Sequence, residues 1–134
     1  MKTIILIDKD FKDDIYCGKE DLTNIEGNLE IKKTGWCKFK GDIFAKGDIS
    51  AKGDIFAEGD IFAEGYISAK GGSLKAKYGI TAGLKIYART TIECGMRIFA
   101  GIAPFSWVDK EYREIKCEKL VSGEIGYGDL FEDN

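Results

Sequence analysis

The chain has 134 residues, the length of one domain that can bury a hydrophobic core. It contains 17 glycines, one proline and no histidine. The missing imidazole excludes serine–histidine and cysteine–histidine catalysis and histidine-ligated metals. A net charge of −3 argues against a globally basic nucleic-acid-binding protein.

The N-terminal segment, residues 1–24, is expected to cap one end of the fold. Residues 4–7 form an apolar run that ends at Asp8. Four residues are too few for a signal peptide or a membrane span, so the run predicts a buried first strand and no membrane partner. The expected location is the cytoplasm.

A six-residue repeat dominates the middle of the chain. Residues 41–70 read GDIFAK, GDISAK, GDIFAE, GDIFAE and GYISAK. A period of six would rotate the aliphatic position by about 120° around a helix, whereas a strand keeps it on one face. Residues 25–102 are therefore predicted to form an all-β, single-stranded parallel β-helix of triangular coils of about 18 residues. The regular period favours the left-handed form.

Stacked coils predict three inward columns of side chains, with one extra residue inserted at Gly71-Gly72. The first column is Ile25, Ile43, Ile61, Ile80 and Ile98. The second is Ile31, Ile49, Ile67 and Ile86, and the third is Cys37, Ile55, Leu74 and Ile92.

Residues 103–134 lose the repeat and are expected to cap the C-terminal end. Phe105 and Trp107 are predicted to cover the last coil, and Ser106 to begin a helical turn. Residues 1–30 and 102–134 each hold 4 basic and 8 acidic side chains. Acidic ends would discourage end-to-end stacking of coils.

No catalytic centre, metal site or cofactor is expected. The cysteines form no CxxC pair and are predicted to be free, buried thiols: Cys17, Cys37, Cys94 and Cys117. The repeated aspartates suggest turn geometry rather than a cation site, because neighbours in sequence fall on different faces: Asp42, Asp48, Asp54 and Asp60.

Two surfaces are candidates for binding. The first is aromatic, and it is either a protein-binding or homodimer face or a ladder of rings that joins coils: Phe44, Phe62 and Phe99, with Phe56 nearby. The second could meet phosphates or an acidic protein, or be a solvated face: Lys52, Lys70, Lys85, Tyr87 and Arg89.

The repeat resembles three known groups. Its hexads resemble the shafts of hexapeptide-repeat acyltransferases, which implies the fold of residues 25–102 but not the activity, since those enzymes use histidines. GDIFA and GDISA resemble the units of bactofilins, which are polymer-forming bacterial cytoskeletal proteins. The hexads and the closing segment 117–128, CEKLVSGEIGYG, are similar to short β-helical proteins of phages and prophages.

These resemblances imply a non-catalytic, phage- or prophage-encoded interaction protein in a bacterial or phage-infected cell. Its expected partner is a host protein or ribonucleoprotein complex, bound by a lateral face, in the manner of an anti-CRISPR inhibitor of bacterial defence. A homodimer is a further expectation, and contact between residues 71–101 and nucleic acid stays open. The alternative is a bactofilin-like structural protein that forms polymers.

Overall fold

The computed structural model describes residues 2–103 and 110–133 and is a parallel β-solenoid of about six turns. The all-β class predicted from the repeat is confirmed. Within these ranges the helical elements are two short 3-10 segments, Asp8–Asp10 and Lys110–Arg113.

The strands are short and most contain three residues. In chain order they are β1 Thr3–Leu6, β2 Phe11–Lys12, β3 Ile15–Tyr16, β4 Asn28–Ile31, β5 Lys38–Phe39, β6 Ile43–Ala45, β7 Ile49–Ala51, β8 Ile55–Ala57, β9 Ile61–Ala63, β10 Ile67–Ala69, β11 Leu74–Ala76, β12 Ile80–Ala82, β13 Ile86–Ala88, β14 Thr91–Phe99, β15 Glu114–Cys117, β16 Lys119–Tyr127 and β17 Asp129–Glu132.

The strands stack into three faces of a triangular prism. Face 1 is β1-β4-β7-β10-β13-β15-β17. Face 2 contains β3, β5, β8, β11 and the first halves of β14 and β16. Face 3 contains β6, β9, β12 and the second halves of β14 and β16. β14 and β16 each continue around the corner between faces 2 and 3.

The alternation within each hexad places its isoleucine and alanine inside. In β9, Ile61 and Ala63 are buried and Phe62 between them is half-buried. Successive residues of a strand point to opposite faces, so each strand supplies one large and one small side chain to the core. Burial of each isoleucine contributes roughly 1.5–3 kcal/mol, and the alanine leaves room inside a narrow coil.

The predicted columns are confirmed from the second coil onward. Ile43, Ile61, Ile80 and Ile98 pair in register, with 19 residues across the inserted glycine. Cys37 also takes its predicted place beside Ile55, because Phe56 N–H donates to the Cys37 carbonyl.

Two column assignments near the N-terminus are wrong. Leu29 rather than Ile31 lies opposite Ile49, and Ile25 lies opposite Ala45 rather than Ile43. The segment between Ile31 and Cys37 is two residues longer than its counterpart between Ala51 and Ile55. An insertion of two preserves side-chain alternation, so the isoleucines stay buried while the register moves.

Both non-repetitive ends contribute strands to the stack. At the N-terminal end, β1 pairs in parallel with β4, and the antiparallel β2–β3 hairpin brings the ring centroids of Phe11 and Tyr16 to 5.9 Å from each other. At the C-terminal end, β15, β16 and β17 continue the parallel order. The predicted cover of Phe105 and Trp107 and the turn at Ser106 lie outside the described residues.

Candidate interaction site

The aspartates of the hexads brace the corners of the prism. The Asp48 carboxylate accepts a hydrogen bond from the backbone N–H of Tyr66, one coil further on, at 2.9 Å. The same bond joins Asp42 to Asp60 N–H at 2.7 Å and Asp60 to Gly79 N–H at 2.8 Å. The corner interpretation is therefore confirmed. Among the described residues, no cluster of three or more Asp, Glu or Cys side chains is placed to hold a metal.

A glycine before the donor residue makes these bonds possible. A Cβ on Gly65, which precedes Tyr66, would collide with the Asp48 carboxylate, and one on Gly59, which precedes Asp60, would collide with that of Asp42. Each of these glycines leaves space for the aspartate carboxylate of the preceding coil.

Three of the cysteines are buried, and the prediction of a buried thiol is wrong for Cys17, which is exposed. Cys17 follows β3, where the chain leaves the N-terminal hairpin. Burial raises the pKa of Cys37 and of Cys117 to about 11, and it also raises the pKa of Cys94. At neutral pH these thiols are protonated and poor nucleophiles.

The structure divides the candidate aromatic surface between two faces. On face 3, the rings of Phe44 and Phe62 stack with centroids 4.6 Å apart and planes 2° apart. Thr81 separates Phe62 from Phe99 in the same column. Phe56 lies on face 2, where the Lys75 ammonium sits 4.7 Å from its ring centroid. All four phenylalanines are half-buried.

Charges alternate along two of the three corners. The corner between faces 3 and 1 carries Glu26, Lys46 and Glu64 in successive coils. Lys46 and Glu26 form an ion pair of 2.8 Å, which raises the pKa of Lys46. The corner between faces 2 and 3 carries the opposite alternation, Lys40, Glu58 and Lys77.

In the corner between faces 1 and 2, the position that follows each face 1 strand holds a cation in four successive coils, while Asp54 in the same corner accepts a hydrogen bond from Ser73 N–H. We name this column of cations the basic corner: Lys32, Lys52, Lys70 and Arg89. Each cation directly follows the last residue of a face 1 strand, and these last residues pair with one another in register: Ile31, Ala51, Ala69 and Ala88. All four side chains are exposed, and none forms an ion pair with a residue that the structure describes. At a strand spacing of about 4.8 Å, the four positions span roughly 14 Å.

A groove of about 420 Å³ opens on face 1 beside the basic corner. Its polar lining consists of Tyr66, Ser68, Lys70, Lys85, Tyr87, Glu114 and Lys116. Lys70 belongs to both features. Tyr87 is 38% exposed, whereas Ser68 at the groove floor is 8% exposed.

The predicted basic set is thus brought together on adjoining surfaces. Lys52, Lys70 and Arg89 lie on the corner, and Lys70, Lys85 and Tyr87 line the groove. Sequence reasoning missed three members. Lys32 was displaced by the two-residue insertion, Tyr66 occupies the aspartate position of its hexad, and Lys116 follows the non-repetitive loop.

The chain was compared with protein-family models, curated proteins and solved structures, and none of them matches. Among the described residues, no helix has the length and apolar character needed to cross a membrane.

Proposed function

We propose that this protein is a non-catalytic interaction protein that binds an acidic macromolecular partner through the basic corner and the adjoining groove. The observation that supports this proposal is the column Lys32, Lys52, Lys70 and Arg89, four exposed cations in successive coils that form no ion pair with a described residue. Like charges opposite one another on neighbouring strands destabilise a sheet. The other two corners avoid that cost by alternation, so the basic corner retains a repulsion that an acidic partner would relieve.

The resemblance of the hexads and of residues 117–128 to phage and prophage proteins supports a more specific form of this proposal. In that form, the partner is a protein or ribonucleoprotein complex of bacterial defence, which the chain inhibits by occupying a surface. Stoichiometric binding requires no histidine, metal or cofactor. It requires a rigid face, which the hydrogen-bonded stack of coils provides.

A pull-down from bacterial lysate with matched variants tests the proposal. Lys52→Gln/Lys70→Gln/Arg89→Gln removes three charges from the basic corner. The control, Lys40→Gln/Lys46→Gln/Lys77→Gln, removes three exposed charges from the alternating corners. The proposal expects a partner that the wild type and the control retain and the basic-corner variant loses. Equal capture by all three proteins would refute it.

Polymer formation is the second candidate, and the C-terminal end of the stack favours it. β16 and β17 are edge strands there, and the inward side chains Leu120, Ile125 and Leu130 are only partly buried. Register shifts in β16 and the acidic character of both ends oppose it, since bulges and like charge hinder edge pairing. Light scattering with negative-stain microscopy at micromolar concentration tests whether the protein polymerises. Filaments would support polymer formation, and discrete particles would exclude it.

The aromatic column offers a separate test of the expected homodimer. Replacement of Phe44, Phe62 and Phe99 with serine would abolish a dimer formed through face 3. Light scattering of wild type and variant measures this, and an unchanged mass would remove face 3 as the dimer interface.

A further inference from the structure

We infer that the basic corner binds the phosphate backbone of a single nucleic-acid strand and that Tyr87 in the adjoining groove stacks on one of its bases. The inference rests on the proposed function, since it uses the same surface. It specifies the chemistry of the partner: a polyanion with unpaired bases, such as the exposed RNA of a ribonucleoprotein complex.

The geometry of the basic corner suits a linear polyanion. Its four cations lie in one row at the fixed spacing of the coils, because each follows a residue held in the parallel register of face 1. A strand that runs along this row of roughly 14 Å brings several phosphates within reach of the four cations. A nucleic-acid strand carries one negative charge at every nucleotide along a continuous line, which is the charge pattern that this row complements.

The groove adds what a phosphate track alone lacks. Tyr66 and Tyr87 both line it, and between them it is bounded by Ile67 and Ile86, whose side chains point into the core. A volume of about 420 Å³ lies in the range of small-molecule sites, roughly 300–1,000 Å³. A cationic track beside an exposed aromatic ring is the arrangement by which proteins bind single strands without reading sequence.

Carboxylates limit the extent of this surface on both sides. Glu30 lies on face 1 opposite Ser50, and Glu114 lines the groove with its carboxylate 3.4 Å from the Lys116 ammonium. At the C-terminal side, Arg89 shares a depression with Glu118, Glu132 and Asp133. With the acidic chain ends, they confine the positive surface to the coils between them. The protein is therefore expected to contact only a few nucleotides of the nucleic-acid strand and to bind it with micromolar rather than nanomolar affinity.

Fluorescence anisotropy with fluorescein-labelled 20-nucleotide oligo-dT and oligo-U over a salt series tests the inference. For four phosphate contacts, the slope of log Kobs against log[salt] should be about −3, and each lost cation should reduce it by about 0.7. The variant Lys52→Gln/Lys70→Gln/Arg89→Gln should therefore bind at least about 10-fold more weakly with a slope near −0.7. The control Lys40→Gln/Lys46→Gln/Lys77→Gln should keep both values.

The stacking part has its own measurement. Tyr87→Ala should weaken oligonucleotide binding by about 5- to 100-fold without changing the salt slope, because a ring supplies stacking and no charge. Circular dichroism of each variant checks that the solenoid is intact. We expect Tyr87→Ala to fold normally, because Tyr87 is an exposed outward residue.

Absence of oligonucleotide binding, or an equal loss in both charge variants, would overturn the inference. The pull-down after nuclease treatment separates this failure from that of the proposed function. A partner that survives nuclease and still depends on the basic corner would be an acidic protein, which overturns the nucleic-acid inference and leaves the proposed function standing. A partner retained equally by both charge variants would overturn both.

Discussion

Replacement of Gly65 by alanine is the sharpest test of how the corners are built. The new methyl group would occupy the space of the Asp48 carboxylate, which accepts a hydrogen bond of 2.9 Å from Tyr66 N–H. The carboxylate has to leave, and the partly buried N–H loses its acceptor. We expect Gly65→Ala to destabilise the protein although alanine is the better residue for most backbones.

The magnitude follows from two opposing effects. Loss of the hydrogen bond with an unsatisfied donor costs about 1–3 kcal/mol. Replacement of glycine by alanine lowers the entropy of the unfolded chain and returns about 0.4–1 kcal/mol. The free energy of unfolding should therefore fall by about 1–2 kcal/mol.

Gly41→Ala is the matched control within the same repeat. A Cβ on Gly41 meets no atom within 4 Å, so only the entropic effect remains and the variant should be stabilised by about 0.4–1 kcal/mol. Urea denaturation followed by circular dichroism measures both variants, with an unchanged m-value as the sign that the same surface unfolds.

A double-mutant cycle identifies the cause. Asp48→Ala removes the same hydrogen bond, so the double variant Asp48→Ala/Gly65→Ala should lose the energy of that bond only once. The sum of the two single-variant changes in the free energy of unfolding should therefore exceed the change in the double variant by about 1–2 kcal/mol. In the double variant the nearest remaining contact is the Gly47 carbonyl carbon at 3.1 Å, which requires only a small shift. Simple additivity, or a stabilised Gly65→Ala, would refute the corner mechanism.

Three further results are expected from the core and the thiols. Ile61→Ala, at a side chain of 0% exposure, should lower the free energy of unfolding by about 2–5 kcal/mol, whereas Ile5→Ala, at 48% exposure, should change it by less than about 0.5 kcal/mol in urea denaturation. The native protein should incorporate one equivalent of iodoacetamide per chain at pH 8, at Cys17, and mass spectrometry of peptides locates it. Burial raises the pKa of Cys37 from 9.0 to about 11. The stability that the protonated thiol contributes is therefore fully present below pH 9 and is lost as the pH rises toward 11. Over that interval the urea midpoint of Cys37→Ala should fall less steeply than that of the wild type.

Periodicity alone predicted the fold class and most of the core. Six is even, so alternation places Ile43 and Ala45 inside from sequence alone, and the register followed once the inserted glycine was recognised. The register near the N-terminus could not be predicted, because the two extra residues before Cys37 leave alternation unchanged. No local pattern distinguishes Leu29 from Ile31 as the neighbour of Ile49.

The candidate surfaces were less predictable for a related reason. Phe56 and Phe62 are six residues apart and read alike, yet they point out of different faces of the prism. Tyr66 stands at the aspartate position of its hexad, and it lines the same groove as Tyr87 because of how two coils stack. Spacing of six identifies side chains that point outward, and only spacing of 18 or 19 identifies those that are neighbours.

The same geometry explains how a modest sequence produces an asymmetric surface. Read along the chain, the last positions of consecutive hexads are Lys46, Lys52, Glu58, Glu64 and Lys70, a mixture with little apparent order. Distributed over three corners, they separate into two alternating columns and one of cations alone. A net charge of −3 therefore coexists with a positive edge, and the partner that the edge selects depends on the column rather than on the composition. Exchange of the charges at Lys52 and Glu64 would keep the composition constant and interrupt the column without building a row of cations elsewhere. Loss of binding in Lys52→Glu/Glu64→Lys would therefore show that arrangement, and not net charge, determines recognition.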